Sequence, residues 1–455
     1  MKEINREIFR AYDIRGVVGS DFDEEWVEML GRACGTWFRK KGWDRAVVGH
    51  DCRHSSPAYQ QAMVKGLNSC GVDVLFLDLV PSPVFYFAAR KLGYMAGVMI
   101  TASHNPPEFN GFKVWGKDTT IHSGDILDIY EIMKSGDFAE GCGVASFHNI
   151  IPFYVEDLLS GIRIERPVRV VLDGGNGAGG HIALELLRRA GADVIPLYCD
   201  PDGDFPNHHP DPVVEKYMGD LLAAVVDHKA EAGIGLDGDA DRIGAVDENG
   251  RLMPGDRLLA IYAREMLGRK PGETVIGDVK CSHLLFSDIE THGGKAIMAR
   301  TGHSIMKAKM AETGAGLGGE MSGHMFFSDR FYGFDDGIYA ALRLVEILSK
   351  SKPPLSGMLE DWPETFFTPE LRVDCPERIK FRIVERAVEE LSKRFRVITI
   401  DGARVVFEHG WALVRTSNTQ AALTLRYEAD SPQHLEEIRK IIDSLLKQLR
   451  NELEG

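Results

Sequence analysis

Short apolar runs rich in β-branched residues alternate with segments of helical period along most of the chain, and this alternation restricts the fold more than any single motif does. In the first stretch, Arg45-Ala-Val-Val-Gly precedes a helical segment from Pro57 to Leu67, then Val72-Asp-Val-Leu-Phe-Leu-Asp, a helical segment from Pro83 to Leu92, and an apolar strand from Ala96 to Thr101. That order predicts a sheet with helices on its faces. The pattern returns from Val168-Arg-Val-Val-Leu through a helix from Ile182 to Ala190 to Val194-Ile-Pro-Leu-Tyr and Ala232-Gly-Ile-Gly-Leu. A third instance runs from Thr274-Val-Ile-Gly-Asp-Val through Ser282 to Ile289, Lys295-Ala-Ile-Met and Ser304 to Glu312. Three related α/β units are expected.

The alternation then stops. A passage from Lys352 to Pro376 holds five prolines and reads as a linker. Beyond it come a helix near Phe381 to Phe395, short strands at Val397 to Ile400, Ala403 to Glu408, Trp411 to Arg415 and Ala421 to Glu428, and a terminal amphipathic helix from Pro432 to Glu454. Adjacent strands without intervening helices imply an antiparallel α+β fourth domain. Interruptions at Ile151-Pro152 and Asn249-Gly250 set the remaining boundaries, so the expected domains are 1–150, 151–251, 252–366 and 367–455.

The 455 residues, 44% of them hydrophobic, suffice for several cores. Lys and Arg total 53 against 68 Asp and Glu, a formal charge of −15, and no basic run is dense enough to track a nucleic-acid backbone. An anionic substrate would therefore need a local cluster of cations. Seven scattered cysteines without a Cys-x-x-Cys pair argue against disulfides and zinc. No apolar leader opens the chain and no run of 18 or more apolar residues occurs in it, so a cytoplasmic protein without a membrane partner is expected.

Four loops carry chemistry. Ile100-Thr-Ala-Ser-His-Asn-Pro106 places the hydroxyl of Ser103 where a strand runs out into a turn. By composition it is an ordinary turn. A Ser-His hydrolase is disfavoured, because adjacent residues do not readily set the imidazole of His104 on the neighbouring hydroxyl and no G-x-S-x-G elbow is present. In Leu236-Asp-Gly-Asp-Ala-Asp-Arg242, carboxylates at alternate positions can turn toward one point and suit Mg²⁺. A calcium EF-hand fails at its sixth position, where Arg242 stands instead of glycine; a solvated acidic turn is the plainer alternative. Arg415-Thr-Ser-Asn-Thr419 gathers a guanidinium, hydroxyls and an amide able to grip a phosphate, though it also reads as a polar turn. Gly319-Glu-Met-Ser-Gly-His324 offers groups that hydrogen-bond vicinal sugar hydroxyls, or a helix cap before the strand Met325-Phe-Phe. Finally, Gly175-Asn-Gly-Ala-Gly-Gly180 fits a dinucleotide fingerprint, but Asp173 ahead of it would face a pyrophosphate, and tight strand-to-helix packing is the favoured reading.

With these loops in this order the chain closely resembles the α-D-phosphohexomutases, in particular their bacterial phosphomannomutase/phosphoglucomutase branch. The resemblance runs the full length, through Tyr12-Asp-Ile-Arg-Gly16, Gly49-His-Asp-Cys-Arg53, the Ser103 loop, Asn110-Gly-Phe-Lys113, Asp237 to Arg242, Asp278-Val-Lys280, Thr301-Gly-His-Ser304, Gly319 to His324 and Arg415 to Thr419. It implies a heart-shaped molecule of three similar α/β domains and a C-terminal α+β domain that closes over the cleft. It implies that Ser103 carries a phosphoryl group, that Asp237, Asp239 and Asp241 bind Mg²⁺ together with it, and that Glu320 and Ser322 hold sugar hydroxyls. Arg415, Ser417, Asn418 and Thr419 would bind the phosphate not being transferred, with Tyr12 and Lys280 also on the substrate. Lys113, His303 and His324, with Arg15 nearby, are offered for proton transfer, and Arg242 for charge at the phosphoryl group.

The implied reaction interconverts hexose 1-phosphate and hexose 6-phosphate, of mannose or glucose, through a hexose 1,6-bisphosphate, with glucose 1,6-bisphosphate as activator. A monomer, or at most a weak homodimer, is expected to act on these hexose monophosphates. Phosphoglucosamine mutase is the alternative within the family, and a non-catalytic sugar-phosphate-binding protein or a nucleotide-dependent oxidoreductase the alternatives outside it.

Overall fold

The computed structural model describes residues 4–417 and 421–454. Its strands form four sheets, taken in turn along the chain. In the first, Ala96–Ile100 and Asp73–Leu79 flank Arg45–His50 in parallel, while Phe109–Gly116 pairs antiparallel with Ala96–Ile100 and Ile14–Val17 with Phe109–Gly116. In the second, Ala232–Leu236 lies parallel to Arg169–Asp173 and antiparallel to Ile243–Asp247, which in turn takes the short strand Leu252–Met253. In the third, Leu317–Gly319 lies parallel to Thr274–Asp278 and antiparallel to Met325–Phe327.

The three expected units thus share one device. Each has a buried strand with a parallel neighbour on one side and an antiparallel neighbour on the other, and the loop leaving that strand carries chemistry: Ser103 after Ala96–Ile100, the aspartates after Ala232–Leu236, Glu320 to His324 after Leu317–Gly319. Crossover helices cover the sheets, as parallel pairing requires. The helix Ser82–Lys91 is one of them, started by Pro81 and a proline in its first turn. One apolar core, including Val84, Leu172, Leu259 and Leu344, passes through all three units and holds their loops in fixed relation.

The fourth sheet is antiparallel throughout, in the order Phe366–Phe367, Ala422–Ala429, Gly410–Thr416, Ala403–Phe407, Arg396–Ile398. Its helices Glu377–Ser392 and Pro432–Glu454 cover an apolar core of its own. The proline-rich passage is not only a linker: Phe366–Phe367 and Leu371–Asp374 both pair with Ala422–Ala429. Its prolines at 363, 369 and 376 fall outside these short strands, where no ladder donor is needed. Trp411 and Leu413 of the fourth sheet pack on Val279 of the third unit. Arg404 reaches the carbonyls of Val279 and Cys281, and Arg426 that of Lys280. The fourth domain is therefore seated on the third.

Candidate active site

Ser103 sits at the exit of Ala96–Ile100 with φ 51°, left-handed backbone that a serine adopts only when its surroundings compel it. Those surroundings are identifiable. The buried Arg53 guanidinium donates to the carbonyls of Ser103 (2.9 Å), Asn105 (2.5 Å), Pro106 (2.6 Å) and Phe109 (2.8 Å), and is itself paired with Asp51 at 3.1 Å. Arg15 fixes the same loop through Asn105 at 2.8 Å. The curled backbone also brings His104 Nδ1 to 3.1 Å from Ser103 Oγ, correcting the expectation that adjacent residues would not meet. Burial, followed by the charges of Arg242 and Arg15, pushes His104 well below its ordinary range, so this imidazole is neutral.

Ser103 Oγ donates to Asp237 Oδ2 at 2.8 Å, joining the first unit to the second. The loops touch through backbone: a Cβ on Gly238 would come 2.5 Å from the Ser103 carbonyl oxygen. The glycine run at 174–180 supports this contact from behind, where Ala178 N–H donates to the Gly238 carbonyl at 2.9 Å and a Cβ on Gly177 would come 2.7 Å from the same oxygen. Asp173 takes the Gly175 N–H at 2.8 Å, filling the place of a pyrophosphate. Close packing is therefore what the glycine fingerprint serves here.

Asp237, Asp239 and Asp241 are fully buried, with ligand oxygens within 4.8 Å of one another. Lys113 Nζ bridges Asp239 at 2.6 Å and Asp241 at 2.5 Å, and Ser82 Oγ donates to Asp239 at 2.5 Å. Burial and then the neighbouring carboxylates Asp241 and Asp239 push Asp237 well above the usual carboxylate range. Burial acts the same way on Asp241, but Lys113 and His324 overcome it and hold that group well below. Lys113 is likewise opposed by burial yet held well above its ordinary value by Asp239 and Asp241. Asp239 Oδ1 is buried with no hydrogen-bond partner. An orphaned carboxylate oxygen beside two more hard donors fits a small divalent cation such as Mg²⁺. Arg242 completes the loop, its N–H on Asp237 at 3.1 Å and its guanidinium 3.9 Å from the same carboxylate.

The third unit faces this cluster. The stretch 320–324 is the loop of a hairpin between Leu317–Gly319 and Met325–Phe327, not a helix cap. His324 lies between Asp241, 3.2 Å from Nε2, and Glu320, 3.1 Å from Nδ1, with Ser322 Oγ 3.2 Å from Nδ1. Burial disfavours its charge, but the two carboxylates raise it to about 9; Glu320, also opposed by burial, is lowered to about 2 chiefly by His324. His303 stacks on His324 with ring centroids 5.7 Å apart. Burial, then Lys307 and Lys113, push His303 well below its ordinary value. The stacked rings therefore differ in charge, one imidazolium and one neutral imidazole.

Tyr12 reaches the Thr301 carbonyl at 3.1 Å and meets His303 edge to face. Lys280 pairs with Glu370 of the fourth domain at 3.1 Å. Arg415, the penultimate residue of the strand Gly410–Thr416, pairs through Nε with Asp401 at 3.0 Å, leaving one buried terminal nitrogen without a hydrogen bond. Asp401 also takes the Thr301 N–H at 3.2 Å, linking this loop to the third unit. Ser417 is buried beside it, its N–H donating to Ala422 at 2.9 Å; Asn418 and Thr419 lie outside the described residues. Of the residues singled out from the sequence, the structure gathers Ser103, Lys113, the three aspartates, Arg242, His303, Glu320, Ser322 and His324 into one cluster, with Arg415 standing apart from it.

It missed Ser82, Asp335 and Lys307. Asp335 accepts from Lys307 at 2.9 Å and lies 3.5 Å from His303 and 3.9 Å from His324, so it faces both rings of the stacked pair. The proline-initiated helix start at Ser82-Pro83 and the doublet Asp335-Asp336 before Gly337–Lys350 were the available signals. Neither says what the side chain faces. Among the described residues, no helix is long and apolar enough to cross a membrane.

Four family models match in chain order: phosphoglucomutase/phosphomannomutase alpha/beta/alpha domain I over residues 6–140, domain II over 152–250, domain III over 254–366, and the C-terminal domain over 370–445. A phosphomannomutase/phosphoglucomutase of Pseudomonas aeruginosa is 42% identical over 447 residues, covering 98% of this chain and 96% of that protein. A phosphoglucomutase of Neisseria gonorrhoeae is 41% identical over 452 residues, covering 98% of each chain. A crystal structure of a phosphoglucomutase/phosphomannomutase family protein from Burkholderia thailandensis superposes with a TM-score of 0.92 at 39% identity, covering 98% of both chains.

Proposed function

The chain belongs to the phosphoglucomutase/phosphomannomutase family and is a phosphosugar mutase, and we propose that Ser103 is its phosphoryl carrier, acting on hexose monophosphates beside a Mg²⁺ held by the aspartate loop. The observation that carries this reading is the 2.8 Å hydrogen bond from Ser103 Oγ to Asp237, within a buried set of three carboxylates. A bare serine turn has no use for three buried anions. A phosphorylated one, with a cation between, does.

In the forward step the Oγ–P bond of phosphoserine breaks as the free hydroxyl of a hexose monophosphate bonds to phosphorus, giving a hexose 1,6-bisphosphate. The sugar proton passes to a base of the site, and the departing Ser103 oxygen takes a proton from an acid of the site. The bisphosphate then turns end for end, its other phosphoryl returns to Ser103, and the isomeric monophosphate departs. Bound at Asp237, Asp239 and Asp241, Mg²⁺ would offset charge on the phosphoryl oxygens. The protein's own residues supply the rest. Arg242 adds a fixed positive charge beside Asp237. Glu320, Ser322 and His324 present acceptors and a donor to sugar hydroxyls. Neutral His303 is suited to accept a proton and charged His324 to give one. Lys113, held on Asp239 and Asp241, adds an ammonium that would serve as a further proton donor.

The Arg415 loop answers a separate need. A mutase must hold the phosphate that is not reacting, and a guanidinium with an unpaired terminal nitrogen, removed from the Ser103 cluster, is equipped to do so. Lys280 and Tyr12 lie between the two stations on this reading. The division into domains 1–150, 151–251, 252–366 and 367–455 follows the four sheets except that Leu252–Met253 joins the second and Phe366 the fourth, and the closing fourth domain would keep water from the phosphoserine.

The test supplies Mg²⁺ and a trace of glucose 1,6-bisphosphate, and follows 6-phosphate formation separately from mannose 1-phosphate, glucose 1-phosphate and glucosamine 1-phosphate. Turnover of the first two is expected. Preference for glucosamine 1-phosphate would move the chain to the phosphoglucosamine mutases, and no turnover of any substrate would leave a sugar-phosphate binder.

A further inference from the structure

Glu370 stands at the seam between the third and fourth domains, between Phe366–Phe367 and Leu371–Asp374. Its backbone is held by the fourth sheet. Thr368 N–H donates to the Tyr427 carbonyl at 3.0 Å, Tyr427 N–H donates back to Thr368 Oγ1 at 3.2 Å, and Leu371–Asp374 runs along Ala422–Ala429. Its carboxylate reaches across to the third domain, with one oxygen 3.1 Å from Lys280 Nζ and the other 3.6 Å from Arg372 Nε. Lys280 is buried, and its own carbonyl accepts from Arg426 while Arg404 donates to the carbonyls on either side. Glutamate and lysine loop are thus both fixed by the fourth domain.

The charges around this pair converge. Burial opposes the charge of Lys280, and Glu370, ahead of Asp278, restores it. In return Lys280 is the chief influence that lowers Glu370 to about 2, and Arg415 acts on Glu370 in the same sense. An anion of the protein therefore already stands where two cations assigned to the ligand meet. We propose that Glu370 is an internal competitor for the anionic ligand: it neutralises Lys280 in the empty cleft and repels a hexose phosphate that approaches the same ammonium, so that it sets how tightly the ligand is held. This inference rests on the reading of Lys280 and Arg415 as ligand-facing residues.

Two observations favour Glu370 over its neighbours in this role. Asp278 also lies near Lys280, at 3.8 Å, but its side chain is fully buried and bound by Thr301 Oγ1 at 3.0 Å, so it has nowhere to go. The side chain of Glu370 is 34% exposed and can turn to water when an anion displaces it. Like charges brought together at one cation weaken binding without touching the reacting atoms. A bisphosphate that must leave each station to turn end for end gains from such a moderated hold, since tighter binding of every state does not speed the chemical step.

Calorimetry in the presence of Mg²⁺ measures glucose 6-phosphate binding to Ser103→Ala protein, which does not turn the ligand over, alone and combined with Glu370→Gln, Glu370→Ala, Lys280→Met or Glu370→Gln with Lys280→Met. Thermal unfolding confirms that each variant is folded. Glu370→Gln and Glu370→Ala should each tighten binding by about fivefold or more, the scale of one coupled charge. Lys280→Met should weaken it, and Glu370→Gln should add nothing once Lys280 is gone. With Ser103 intact, Glu370→Gln should lower KM without raising kcat. Unchanged or weaker binding in either Glu370 variant, while Lys280→Met still weakens it, would overturn the competitor alone, as would an equal gain in the absence of Lys280. Undiminished binding in Lys280→Met would overturn the reading of Lys280 and the competitor with it.

Discussion

Ser103 and Asp237, 134 positions apart in sequence, meet in a 2.8 Å hydrogen bond from Oγ to Oδ2 across the boundary between the first two sheets. A phosphoryl group on that oxygen would remove the donor and set new negative charge against a buried carboxylate. On this reading phosphorylation and cation binding at the aspartate loop would be coupled. Mg²⁺ should bind the phosphorylated protein at least about tenfold more tightly than the dephosphorylated form, the shift expected of roughly 1.4 kcal/mol of added attraction. Calorimetry on the two forms measures this directly. Equal affinities would place the cation elsewhere.

Arg53 holds four carbonyls of the serine loop with a single buried guanidinium and is itself paired with the buried Asp51. Arg53→Met should leave Asp51 buried and unpaired and free the loop, costing about 3 kcal/mol or more. Denaturant unfolding of the first transition checks the stability. Phosphate incorporation at Ser103 should slow in parallel, and a destabilised variant with normal incorporation would confine Arg53 to the core.

Arg415→Ala should reduce kcat/KM for either hexose monophosphate by about 100-fold, the loss expected when one charge-assisted phosphate contact worth about 3 kcal/mol is removed. Its effect on phosphorylation of Ser103 by glucose 1,6-bisphosphate should follow the same trend, since that ligand also leaves one phosphate in the remote station. Unaltered kinetics would mean that the loop's other groups suffice.

His324, raised from 6.5 to about 9, keeps in the folded protein a proton that the unfolded chain releases between those values. Its stabilising contribution is therefore complete below about pH 6.5 and is lost as pH rises through about 9. Glu320, lowered from 4.5 to about 2, acts at the other end: its contribution is present above about pH 4.5 and disappears as pH falls toward 2. In metal-free protein, thermal stability should fall between pH 6.5 and 9, and His324→Asn should flatten that decline. The same slope in the variant would assign it to another group.

Much of this was legible in the chain. The strand and helix alternation announced the three α/β sheets because both periodicities are local, and the terminal helix spans Pro432–Glu454 as its amphipathic pattern indicated. Loops such as Asp237 to Arg242 could be read because several ligands lie close together in sequence. Other features depend on distant partners. Phe366–Phe367 and Leu371–Asp374 become strands only because Ala422–Ala429 offers an edge, which a proline-rich passage does not reveal. Ser82, Asp335 and Lys307 entered the site for the same reason, since helix starts and buried ion pairs carry no motif. The meeting of His104 with Ser103 turned on one left-handed residue, a conformation that a serine's identity does not announce.

The most direct test of the account is intact-mass measurement of protein incubated with glucose 1,6-bisphosphate, for the wild type and for Ser103→Ala. The wild type should gain one phosphoryl mass, localised to Ser103 by fragmentation, while Ser103→Ala should gain none and lose activity by about 10³-fold or more, as expected when a covalent carrier is removed. A phosphoryl adduct persisting in Ser103→Ala, or full turnover without one, would contradict the assignment of Ser103 as the carrier.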